Sequence, residues 1–599
     1  MSADLVVYNQ SKESTGLESV MSDKKWLQVL DQNNGSYTSG QSTLETTSLS
    51  TSNRYMNYRE AYLAVPVLIT VGNNTNVNTS GLSSAANKGN LVGLKNSYTS
   101  LIHSMSVDLN GTNIIQSTPF SEFYNAFNLM TCLSFEDVKT QGASIGFYPD
   151  DALSATSFTA NNAGGIAGAT VNNKNFNISP GSAYTANPAA ATGNPANALI
   201  PVSDVPSKIQ GNHYNKGFAE RLKYINYDQT QPVQGSADEA LQSAFLTDTT
   251  ALYKNAIFNL VAGAAAQSPL IQVQVMAIIK LRHLHSFFNN ICLSQGLQFR
   301  FIINFNNSTS TLTAAGNVLT TETLIKSQFG GVNPLMISSA LPGQGGVAQA
   351  VAGEGGDAAA NGTIRADLSV GNKCLDPTLK SFGAADSQLP QSVSLYVPSY
   401  TMNPGAEDLY QKLGPRKINY SDIYNFKITN VGANASFNQL ITSGIRGVRS
   451  VVVMPMFPAA SNGTQVSEFH STQSDCGGGP TALLAQITNF QVQVGGVNQI
   501  QTNGRYEFEI FNNYVYGSNA VNGGLTDGLN SGLVGQHDWS RKYLYYYIDC
   551  NRGSDLERDT PKSIQIQGQN KSMKAVDYYV FVEYENNITI DTQSGAIQP

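Results

Sequence analysis

Residues 102–128, IHSMSVDLNGTNIIQSTPFSEFYNAFN, lie without gaps over residues 487–513, ITNFQVQVGGVNQIQTNGRYEFEIFNN, and nine of the 27 positions are identical. Gly111 falls on Gly496, Asn113 on Asn498, Gln116 on Gln501, Glu122 on Glu507 and Phe123 on Phe508. Within the first stretch Met105, Val107 and Leu109 alternate with Ser104, Ser106 and Asp108, the two-residue period of a half-buried strand. A glycine-bearing turn and a second strand follow, so the repeated unit reads as a β-hairpin. Two flanking matches keep the same order. Asn57-Tyr58-x-Glu60-x-Tyr62 aligns with Asn419-Tyr420-x-Asp422-x-Tyr424, and the strand 299–307 aligns with 579–587. A repeat of this kind predicts two copies of one domain.

On this alignment the chain divides into an N-terminal arm, 1–25, a first β-domain, 26–315, and a second, 316–599, with the boundary in the Ser/Thr/Gly-rich stretch 308–330. Between the hairpin and the last match the first copy spends 171 residues and the second 66, a surplus of about 105. The surplus falls in 140–265, which is rich in Ala, Gly, Asn and Thr. Smaller excursions at 340–375 and 515–537 are expected in the second copy. Period-2 alternation recurs in 271–275, 393–397, 490–494, 564–567 and 576–584, which predicts an antiparallel all-β architecture. Helical spacing is confined to Leu281, Leu284, Phe287, Phe288 and Ile291 and to 407–413.

Composition narrows the function. Only 13% of the 599 residues are charged and the net charge is −7, so no global basic field exists to hold nucleic acid or an anionic membrane. No apolar run is long enough for a membrane-spanning helix, and the N-terminal residues lack a basic flank before a hydrophobic core, which predicts folding inside a cell. Cys132, Cys292, Cys374, Cys476 and Cys550 are odd in number and far apart, so free thiols are expected. The Asn73 and Asn78 sequons mark a polar loop.

No constellation for catalysis stands out. The chain has no phosphate loop, no Gly-x-Ser-x-Gly and no His-Glu-x-x-His. His283 and His285 stand two apart, which on a helix points them away from each other, so they are read as partly buried histidines and not as metal ligands. Asp549–Asp555 starts like a calcium loop, but its twelfth position is Thr560. No catalytic, cofactor or metal residue is therefore expected. The aromatic run Tyr543–Tyr547, with Trp539 before it, reads as a buried strand or subunit contact, and Lys24, Lys25 and Trp26 either as an exposed basic pair before a core Trp or as an anchor for a partner or for nucleic acid. The assembly contacts expected are Lys24, Lys25, Trp26, Trp539, Tyr545 and Tyr547.

One family carries these features together. Trp26, Asp31, Asn34-Gly-Ser-Tyr37, Leu49-Ser50, Arg54, Tyr58, Tyr62-Leu63 and Pro66 open the chain. Asn333-Pro-Leu-Met336, Leu395-Tyr-Val-Pro398 with Tyr400, Arg505-Tyr-x-Phe-Glu509 and Tyr546-Tyr-Ile-Asp-Cys550 with Arg552 follow. The whole resembles the double jelly-roll major capsid proteins of virophages and polinton-like viruses, in the phage–adenovirus capsid lineage. The resemblance implies two tandem eight-stranded jelly-roll sandwiches with long inserted loops. It also implies a pseudo-hexameric homotrimer tiling an icosahedral shell, with 140–265 facing outward and the arm at the base. Penton and minor capsid or cement proteins are the implied partners, with no sequence-specific nucleic-acid binding and no transmembrane segment. The virion capsid is the implied location, after folding and assembly inside the host cell. Two other classes fit the composition: a tandem β-sandwich carbohydrate-binding or carbohydrate-active protein, marked by paired loop carboxylates, and a viral fibre, marked by short repeats.

Overall fold

The computed structural model describes residues 20–73, 90–150, 269–339, 362–376, 391–458, 485–500, 506–517, 532–550 and 560–598, less 34, 36, 96, 316–317, 542, 573 and 592–595. It also describes the single positions 217, 221, 470 and 472. The repeated hairpins are the fixed points. β4 (Ile102–Leu109) and β5 (Thr112–Ile115) are joined by Asn110-Gly111, and β15 (Ile487–Val494) and β16 (Val497–Asn498) by Gly495-Gly496. All four loop residues have positive φ, between 48° and 83°, the primed-turn geometry that matches the strands' own twist.

Around each hairpin the same eight strands assemble. In the first sandwich, β1 (Met21–Leu30), β11 (Ser394–Met402), β3 (Tyr62–Asn73) and β6 (Pro269–Lys280) are successive antiparallel neighbours in one sheet. The opposing sheet runs β2 (Gln41–Glu45), β7 (Phe299–Phe305), β4, β5. In the second, β12 (Arg416–Val431), β19 (Val576–Ile590), β14 (Val448–Met456) and β17 (Tyr546–Asp549) form one sheet. β13 (Ser436–Ile445), β18 (Lys562–Asn570), β15 and β16 form the other. Numbered by position among the eight strands, both sandwiches read 1-8-3-6 over 2-7-4-5, the jelly-roll order. Register repeats too: Val107 faces Phe301 as Val492 faces Ile566.

This pairing corrects three alignment-based expectations. The partner of β7 in the second copy is β18, so 299–305 corresponds to 564–570 and not to 579–587. Asn57–Tyr62 leads into the third strand, whereas Asn419–Tyr424 lies in the first, so that match is accidental. The boundary near 315 also fails in the strand pairing. β8 (Ser308–Ala315) and β9 (Val318–Ser327) form a hairpin, and β10 (Gly362–Val370) joins β8 to β3, so all three extend the first sandwich between its seventh and eighth strands. The seam falls at 403–415, where α3 (Pro404–Gln411) links β11 to β12. The described part of the 340–375 excursion, 362–375, consequently belongs with the first sandwich, and residues 21–25 are part of β1 and not of a separate arm.

Helices also exceed expectation. Directly after β5 comes α1 (Ser121–Cys132), then α2 (Phe135–Ile145), which starts at a reciprocal Ser134–Asp137 capping box. After the second hairpin, α4 (Phe508–Gly517) takes the place of α1. The repeated unit is thus strand, turn, strand, helix.

Two hydrophobic cores result, and they are interleaved. Phe123, Tyr124, Phe127 and Met130 of α1 are buried in the second core, on the outer face of the sheet β12–β19–β14–β17. The Phe127 ring lies 5.0 Å from that of Tyr545 and 5.7 Å from Tyr547, and Phe123 lies 5.3 Å from Tyr579. In return, Ile418, Tyr420, Ile588 and Ile590 enter the first core. Because α1 covers one face of the sheet and its own partner sheet the other, Val451–Met456 and Tyr578–Val582 are buried continuously and do not alternate.

Most of the 140–265 insertion lies outside the described residues. Its attachment is described: the Arg221 guanidinium donates to the carbonyls of Leu94 and Tyr148 and pairs with Asp150 at 2.9 Å, both side chains being almost fully buried.

Candidate functional site

Two places combine polar chemistry with access: the seam between the sandwiches and the exposed surface around β1. At the seam, α1 and the loop after β6 face β12, β14 and β19 across a cavity of about 270 Å³. Asn128, Arg282, His283 and Asn289 come from the first sandwich's side, Arg449 and Glu583 from the second. Polar groups collect here because the segment 281–290 turns at the end of β6. Leu281, Phe287 and Phe288 enter the first core, leaving the residues between them at the junction.

The charges are unevenly satisfied. Glu583 accepts a hydrogen bond from Ser450 Oγ at 2.8 Å and lies 3.8 Å from Arg449. Arg449 also donates to Ser421 Oγ at 2.6 Å and approaches Glu585. His285 Nε2 lies 3.4 Å from Asp422 Oδ1. His283 is buried, and burial first, then Arg282 and Lys280, drives its pKa down to about 3, so the ring is neutral. Burial likewise lowers Lys280 and Arg282. The two histidines thus have separate surroundings, and among the described residues no group of three or more His, Cys, Asp or Glu side chains could hold a metal ion. Cys132 lines the same cavity, with burial pushing its thiol up to about 12.

Around β1, Lys24 Nζ pairs with Glu60 at 3.0 Å and lies over the Tyr400 and Trp26 rings, at 5.3 and 5.6 Å. Hydrogen bonding with Tyr400, then Glu60, holds the ammonium above its usual range. Trp26 packs against Tyr62 at 5.5 Å, and Tyr62 stacks on Tyr396 at 5.1 Å. Trp26 is nevertheless 47% exposed, and Val20 and Leu30, at the two ends of β1, are exposed as well. Arg54 ties Asp23 into this surface at 3.0 Å.

The expected contact residues separate into two groups. Lys24, Lys25 and Trp26 are at the surface. Trp539, Tyr545 and Tyr547 are not: they are buried within the chain, where Trp539 Nε1 donates to the Tyr545 carbonyl and Tyr545 and Tyr547 meet α1. The aromatic run is filled from inside by the first copy's helix, which leaves it nothing to offer a second chain. Other motif residues prove structural. Tyr37 donates to buried Asp31, and Tyr58 is fully buried against Phe299. Sequence reasoning missed Arg282 and Arg449, lone cations in unremarkable contexts that the seam brings to one cavity. Residue 476 and the turn 551–559 lie outside the described residues.

No protein-family model and no curated protein matches the chain. Among solved structures, it is similar to the Sputnik virophage determined by cryo-EM, with TM-score 0.46 and 10% identity over 97% of this chain and 88% of that one. It is also similar to the Faustovirus major capsid protein, with TM-score 0.39 and 10% identity over 97% and 94%. The capsid of the virus PBCV-1 gives TM-score 0.37 and 9% identity over 98% and 99%. Among the described residues no helix is long and apolar enough to cross a membrane.

Proposed function

We propose that this chain is a structural major capsid protein whose homotrimers are pseudo-hexameric building blocks of an icosahedral viral shell. The observation that carries the reading is the pair of sandwiches with one strand order, fixed to each other by interleaved cores. Two similar units per chain, repeated by a threefold axis, make six similar edges, and a near-sixfold block can tile a shell with few distinct contacts. The exposed residues along β1, Val20, Lys24, Lys25, Trp26 and Leu30, are the surface this reading assigns to contacts with neighbours. Penton and cement proteins are the further partners it requires, and the 140–265 insertion is assigned to the outer face.

Light scattering on purified protein tests the assembly state. A particle near three times 64.1 kDa is expected, with hexagonal outlines in negative stain. A monodisperse monomer at micromolar concentration overturns the reading. Replacing residues 155–200 by a short Gly/Ser linker is expected to leave soluble, folded trimers.

A further inference from the structure

We infer that the seam cavity is a binding site for a small oxyanion, held chiefly by Arg282, which ties the two sandwiches together. This inference is independent of the capsid reading. Its first ground is charge. The charged side chains on the cavity wall are Arg282, Arg449 and Glu583. Glu583 is matched by Arg449 and Ser450, and Arg449 has further partners in Ser421 and Glu585. Among the described residues Arg282 has no ion pair and no hydrogen bond, its Nε buried without an acceptor. One positive charge on the wall is therefore left over. The charges it senses include Arg59 and Lys280, which repel it, and Glu60, which attracts it without reaching ion-pair distance. Lys280 adds to the positive field at His283.

The second ground is the unmatched polar lining. His283 is 5% exposed and its Nε2 has no hydrogen-bond partner among the described residues, and Asn289 Oδ1 is likewise buried without one. Buried polar atoms are almost always satisfied in folded proteins, so the unmatched Arg282 and His283 nitrogens on one cavity wall point to an acceptor, and turning the Asn289 amide over presents its NH2 to the same place. A planar guanidinium presents paired N–H donors that fit the oxygens of a carboxylate or phosphate. Asn128 and Asn289 offer amide donors on the same wall, and a neutral His283 can donate from one ring nitrogen. A volume of about 270 Å³ holds such an ion with water to spare.

Because the lining comes from both sandwiches, binding favours the assembled seam and should raise the unfolding temperature with ion concentration. Isothermal titration and thermal unfolding of the full chain, in chloride buffer at constant ionic strength, would use inorganic phosphate in one arm and acetate in the other. Saturable binding of either ion, with a matching rise in unfolding temperature, is expected, and the arm that saturates tells a phosphate site from a carboxylate site. Arg282→Gln should weaken binding at least about tenfold, the loss expected for a charge-assisted contact. Asn289→Asp, which adds a negative charge to the wall, should do the same and decides the matter if the first variant fails to fold. Arg300→Gln, whose side chain is exposed on the face of β7, should bind as the parent does. Absence of saturable binding of both ions, or unchanged affinity in Asn289→Asp, would overturn the inference.

Discussion

Phe127 offers the sharpest test of the interleaved cores. It belongs by sequence to the first copy, yet its fully buried ring sits between Tyr545 and Tyr547 in the second core. Truncation to alanine removes a whole aromatic ring from a packed interior, which costs about 3–5 kcal/mol. Three ring pairs, with Tyr545, Tyr547 and Tyr124, are lost with it, each worth roughly 0.5–1.5 kcal/mol beyond area, so the upper half of that range is expected. The chain has two tryptophans, Trp26 on the surface and Trp539 buried in the second core, so a Trp26→Phe background leaves a single reporter of that core. Urea unfolding followed by Trp539 fluorescence should show the midpoint falling sharply in Phe127→Ala, together with the midpoint read by far-ultraviolet circular dichroism. A fluorescence midpoint within about 0.5 kcal/mol of the parent would mean that α1 does not complete the second core, since that is the scatter of ordinary surface changes.

Three further outcomes follow from particular contacts. Arg221→Ala leaves Asp150 buried without its cation and should destabilise by about 3–5 kcal/mol in thermal or urea unfolding, while opening the insertion to limited proteolysis. Asp367 is buried, and burial pushes its carboxyl up to about 6 despite hydrogen bonds from Thr309 and from the backbone of Asp376 and Leu375. Its folded pKa lies above its unfolded one, so its contribution is complete below about pH 4 and is lost as pH rises through 6, by about 3 kcal/mol at about 1.4 per unit. Stabilities from urea unfolding at pH 4 and 6.5 should differ less by about 2 kcal/mol in Asp367→Asn, the part of that amount lying between those two pH values. Gly111→Ala and Gly496→Ala meet no neighbour and should cost only the left-handed strain, about 1–2 kcal/mol. Gly532→Ala also has left-handed φ and drives its Cβ to 2.7 Å from backbone atoms of Met130 and Thr131, so its unfolding midpoint should fall further than either.

The hairpin repeat was legible because two local signals agree there: alternation of Met105, Val107 and Leu109, and glycine where φ must be positive. The fold class followed from it. The boundary was not legible, because the Ser/Thr-rich stretch around 308–315 looks like a linker by composition. Its Ser308, Thr309 and Ser310 are buried instead, with Ser308 and Thr309 satisfied by Asn333 and Asp367, and threonine suits a pleated strand. The helix α1 carried a signal that the hairpin overshadowed: Phe123, Phe127 and Met130 recur at helical spacing. The flanking tyrosine motif misled for a physical reason. Tyr58 is buried beneath Phe299 in its own sandwich, whereas Tyr420 crosses the seam to donate to the Ile114 carbonyl. Similar letters served unrelated burial.

That crossing explains why the candidate cavity lay beyond sequence reading. A duplicated domain with two closed cores would need its own covering on every sheet. Here the first copy supplies α1 to the second, and the second returns Ile418, Tyr420, Ile588 and Ile590 to the first. The exchange buries the aromatic run 543–547 within one chain and fixes the angle between the sandwiches, since rotating one past the other would uncover both cores. Rigid orientation is what a block repeated through a lattice requires, because small changes of angle accumulate across neighbours. The polar residues that neither core absorbs, Arg282 and His283 among them, are gathered where the exchanged segments meet. A ligand there would act on the joint whose stiffness the proposed lattice would depend on.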